Sequence, residues 1–135
     1  MKLPMLAFSA SLIFAPILPL TADETPLSEQ MSELSGALKG LRKAKTTEEK
    51  VKLVQTAQKA TLESAKYEPA VFKAISDDME KARAWADYKR LIGVSYTQLC
   101  ELELAYLAGD EEAAAKLVRS LKQVKKEAHR KYTED

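Results

Sequence analysis

Thiol and imidazole groups are scarce in this sequence, and its numerous carboxylates show no pair that stands out as buried. There is one histidine, His129, and one cysteine, Cys100. A Cys–His couple would make an activated thiolate. A zinc centre would need several such ligands at short spacing, and the sequence has no such set. There is also no glycine-rich phosphate loop and no Glu-x-x-His pair for a carboxylate di-metal site. With a single cysteine, neither an internal disulfide nor a Cys-x-x-Cys-His haem attachment can form. Cys100 reads as a half-buried small apolar residue on a helix. His129 stands in "VKKEAHRKYTED", among Lys122, Lys125, Lys126, Arg130 and Lys131. It is either a solvated imidazole at a charged helix end or half of a site whose other half lies elsewhere in the chain.

What could bring a second half to it depends on the elements. Low glycine and abundant Ala, Leu, Lys and Glu favour an all-α domain. A first helix starts at Thr25, a capping residue, with Pro26 at the first helical position. Leu27, Met31, Leu34, Leu38 and Leu41 follow at steps of 4, 3, 4 and 3, one apolar stripe. A second helix starts at Thr46, with Glu49 at capping-box spacing. Val51, Val54, Ala57, Thr61, Leu62 and Ala65 form its stripe, and it stops before Pro69, ahead of the longest connection. The third helix starts at Ser76 or Asp77 and reaches about Ala108. Its stripe is Met79, Ala82, Trp85, Tyr88, Ile92, Ser95, Leu99, Leu102 and Tyr106. Gly109 ends it, Asp110 caps a fourth helix, and Leu117, Leu121, Val124 and Ala128 line that one, with Tyr132 close by. Four amphipathic helices with mostly short links predict an antiparallel up-down-up-down four-helix bundle.

That topology decides which residues can meet. Cys100 lies 9 residues before Gly109 and His129 lies 20 after it. On antiparallel helices they differ in height by roughly 15 Å at the α-helical rise, so they form no pair. Met31, about one turn into the first helix, does fall at the level of His129, about one turn from the end of the fourth. By periodicity alone Met31 is a core residue. His129, roughly 90° from the centre of its helix's stripe, is a boundary residue. The cations beside it also complement the negative end of the helix dipole.

Two motifs carry a resemblance: Met31-x-x-Leu34-x-x-x-Leu38-Lys39 in the first helix, and His129-x-Lys131-Tyr132 at the end of the fourth. With the order of helices, caps and loops, they make residues 24–132 resemble the soluble periplasmic cytochrome b562 family. The resemblance implies one non-covalent haem b with Met31 and His129 as axial iron ligands, and a role as an electron carrier rather than an enzyme. It also implies Lys125, Tyr88, Ile92 and Leu34 around the cofactor. The family has an Arg where Lys125 stands; Lys keeps the charge and loses the planar fork. On the third helix the family places pocket aromatics where this chain has Tyr88 and Ile92, and Ile lines a haem less fully.

The chain's start, "MKLPMLAFSASLIFAPILPLTADETP", has one Lys, an apolar run to Leu20 and small residues at Thr21 and Ala22. These are the parts of a secretory signal peptide, 1–22, cleaved after Ala22 to leave the bundle at 23–135 in the periplasm. Pro4, Pro16 and Pro19 disfavour a spanning helix there. Cleavage removes only Lys2 among charged residues, taking the basic count from 21 to 20 against 20 acidic residues. A neutral chain is a poor ligand for nucleic acid. The expected partners are redox proteins of unknown identity. Membrane association after cleavage is not expected, and the state should be monomeric. The alternative is a haem-free exported bundle acting as a binding or structural module.

Overall fold

The computed structural model describes residues 25–133, so the signal peptide expected at 1–22 lies outside the described residues. Four α-helices follow in order: α1 (Pro26–Gly40), α2 (Thr47–Ser64), α3 (Asp78–Leu107) and α4 (Glu111–Tyr132). Their starts are set locally. Thr25 Oγ1 accepts from the Ser28 amide at 3.1 Å, and Ser28 Oγ in turn accepts from the Thr25 amide at 2.8 Å, a capping box. Thr46 and Glu49 close a second box. Backbone hydrogen bonds from Lys45 and Thr46 hold the Glu49 carboxyl below its ordinary pKa. Asp77 and Asp110 accept from the Glu80 and Ala113 amides at 2.7 and 3.0 Å. Between α3 and α4, Gly109 takes φ +71°, which a side chain would strain.

Each helix packs closely against the next, α1 on α2, α2 on α3 and α3 on α4, giving the antiparallel four-helix bundle. The fourth seam, between α1 and α4, has no comparable approach of backbones. The core is correspondingly divided. At the end holding the α1–α2 and α3–α4 turns, Val54, Ala57, Leu99, Leu102, Tyr106 and Leu121 are buried together. Burial of each large side chain there is worth about 1.5–3 kcal/mol. At the other end a second cluster gathers Phe72, Tyr88 and Ile92, with Trp85 and Tyr132 packed on it. A small domain ordinarily has one contiguous core.

Several positions differ from the sequence expectation. Met79 and Leu62 are 62% and 48% exposed, and Ala82 is exposed as well. At 30 residues α3 is the longest element, and its first turns carry no residue of either buried cluster. The connection before α3 is not featureless. A 3-10 helix at Ala70–Ala74 drives Phe72 into the second cluster with no exposed surface. Phe72 meets Trp85, Tyr88 and Tyr132 edge-on, with ring centroids 5.5, 6.1 and 5.5 Å away. Cys100 is a half-buried free thiol. Among the described residues no helix is long and apolar enough to cross a membrane.

Candidate functional site

A cavity of about 790 Å³ separates the two clusters. Its floor comes from α2 and α3, where Thr61, Ser64, Tyr88, Leu91, Ile92 and Leu99 are buried. Exposed lining residues belong mainly to α1 (Ser32, Gly36, Lys39) and α4 (Lys125, His129), so the mouth opens along the loose α1–α4 seam. Pro69, Ala70 and Val71 close one side. The volume lies in the range of cofactor pockets. Interiors pack at crystal density, so a hollow this large between two clusters is not a packing defect a small bundle would tolerate lightly.

Met31 and His129 both line this cavity, from the two helices that flank its mouth. Leu34, Tyr88, Ile92 and Lys125 line it too, so one space gathers the six residues singled out from the sequence. Met31 is half-buried, whereas His129 is exposed and its ring takes no hydrogen bond among the described residues. Tyr88 is fixed by donating to the Ser64 carbonyl at 2.9 Å, and burial pushes its hydroxyl up to about 12. Lys125 donates to Ser35 Oγ across the seam. Burial, followed by the nearby Lys39 charge, lowers its pKa.

The turn that carries His129 is anchored from α3. Asp87 accepts hydrogen bonds from the Tyr132 hydroxyl, from Lys131 Nζ at 3.3 Å and from the Arg90 guanidinium at 2.9 Å. Lys131 also pairs with Glu127 at 3.1 Å. The Tyr132 hydrogen bond, with support from Arg90 and Lys131, holds the Asp87 carboxyl at about 2 despite its partial desolvation. Burial and the Asp87 carboxylate push Tyr132 up to about 12.

Sequence periodicity did not find Leu91, Val71 or the Asp87 network. A signal for the mouth was present: Ser28, Ser32, Ser35 and Gly36 recur at helical spacing beside the Met31 stripe. A Cβ added at Gly36 meets nothing within 4 Å.

An apolar cavity with a thioether and an imidazole on the helices flanking its mouth suits a haem, whose iron two such donors could hold. The cations Lys39 and Lys125 suit its carboxylates. Residues 26–133 match the family model described as cytochrome b562. No curated protein matches the sequence.

Proposed function

This chain belongs to the cytochrome b562 family, and from that premise we propose that it is a periplasmic electron carrier, not an enzyme, holding one non-covalent haem b through Met31 and His129. The observation that carries the reading is that these two side chains, 98 positions apart, line one cavity in the gap between two cores. When bound, the haem supplies a one-electron iron couple.

The chain's own residues do the rest. Met31 and His129 would hold the iron, and a thioether donor would favour the reduced metal and raise the potential. Leu34, Leu91, Ile92 and Leu99 give the cavity an apolar lining that would exclude water from the cofactor and lower the local dielectric. Lys125 and Lys39 at the mouth offer positive charge to the propionates. Tyr88, tied to Ser64, keeps its ring as a fixed wall.

A haem titration followed by absorbance tests this. The expected result is saturation at one haem per chain, sharp low-spin bands and a raised melting temperature, because the cofactor binds only the folded state. A chain that stays colourless with excess haem, and whose melting ignores it, would instead be the haem-free module.

A further inference from the structure

Cations on this surface divide into those tied to a carboxylate and those without one, the latter including scattered sites such as Lys59 and Lys73. Lys50, Lys52, Lys66, Lys81, Lys116 and Lys131 each approach a carboxylate at 2.8–3.3 Å. Along the α1–α4 seam the unpaired cations cluster. Lys39 and Arg42 on the α1 side, and Arg119, Lys122 and Lys125 on α4, have no carboxylate partner among the described residues. They also face one another. Lys39 and Lys125 line the cavity, while Arg42, Arg119 and Lys122 line a smaller hollow of about 350 Å³ farther along the same seam. Glu111 borders that hollow, but Lys50 holds it at 3.1 Å. The carboxylates of α1, Glu29 and Glu33, line neither space.

Packed helices gain by placing opposite charges across a seam, and like charges there repel. The helix dipole accounts for cations in a last turn, such as Lys39. It does not account for Arg119 and Lys122, which lie more than two turns before the end of α4. A row of facing, unpaired cations beside an open cavity mouth is instead an electrostatic guide for something anionic.

We propose that this seam is the docking surface for an acidic face of the redox protein that exchanges electrons with the chain. The inference rests on the electron-carrier reading above. A cationic surface of this kind suits the transient, salt-sensitive contact typical of electron-transfer encounters. It also places the partner beside the cavity mouth along the α1–α4 seam.

The test uses the haem-loaded protein and a short oligoglutamate peptide, with binding followed by amide shifts at low and physiological salt. The expected result is shifts centred on Arg42, Arg119 and Lys122, with affinity falling as salt rises. The double charge reversal Arg119→Glu with Lys122→Glu should weaken binding at least about tenfold and leave the haem bands unchanged. Lys59→Glu with Lys73→Glu, an equal change in net charge at exposed unpaired sites elsewhere, should change it less than about twofold. Equal weakening by both pairs would overturn the proposal, since it would reduce the effect to net charge. Binding of phosphatidylglycerol vesicles through the same seam, in preference to the peptide, would overturn it in favour of a lipid surface. Failure to take up haem would sink the carrier reading, while the peptide titration on the haem-free chain would still decide whether the surface exists.

Discussion

Asp87 of α3 accepts the hydroxyl hydrogen of Tyr132, three residues past His129 on α4. The contact pins the turn bearing the candidate ligand to the helix forming the cavity floor, while the ring of Tyr132 stacks edge-on with Phe72 and Tyr88. Position of the imidazole is thus inherited from a neighbouring network.

Asp87→Asn should therefore loosen the end of α4. Loss of charge-assisted hydrogen bonds at a partly exposed site is expected to cost about 1–2 kcal/mol at neutral pH, measured by denaturant unfolding. Folding lowers the Asp87 pKa to about 2. Its stabilisation is then present above the ordinary carboxylate value and is lost as pH falls toward 2. The gap between wild type and variant should narrow across that acidic window. A gap independent of pH would assign the loss to packing.

Phe72→Ala should cost about 3–5 kcal/mol, the usual penalty for emptying a fully buried aromatic site. It should also weaken haem uptake, because Val71 of the same 3-10 helix closes one side of the cavity. Thermal melts and haem titration check the two parts.

Gly109→Ala should destabilise the bundle by about 1 kcal/mol, since φ +71° is strained for any residue with a Cβ. A Cβ there meets nothing within 4 Å, so the loss would be conformational rather than steric. Melting of the haem-free chain reads it directly.

Lys125→Met should separate two roles. The Lys125 pKa is lowered, so its charge is disfavoured in the fold below that pKa and the cost fades as pH rises through it. The haem-free variant should be within about 0.5 kcal/mol of wild type or more stable at neutral pH. Its haem affinity should fall several-fold. Unchanged affinity would remove Lys125 from the site.

Much of the scaffold was legible because its signals are local. Thr25, Thr46, Asp77, Gly109 and Asp110 act within one turn, and each does what its residue type demands. Phe72 was hidden because a five-residue 3-10 helix has no periodicity to read, and only tertiary packing buries it. Met79 and Ala82 fit a continuous stripe on α3, yet the ends of a long helix outrun the layers that cover it. Met31 looked like core and His129 like a boundary residue for one physical reason. A cavity wall carries the apolar pattern of a core on its inner side and breaks it at the mouth. Topology could set the two at one height, but the hollow between them belongs to the packing of all four helices.

The most direct test of the account is the absorption spectrum of the haem-loaded chain, compared with Met31→Ala and His129→Ala under both oxidising and reducing conditions. The expected result is a low-spin spectrum in the wild type, altered in each variant, with weaker haem retention for His129→Ala. Spectra of both variants indistinguishable from wild type would contradict ligation by Met31 and His129.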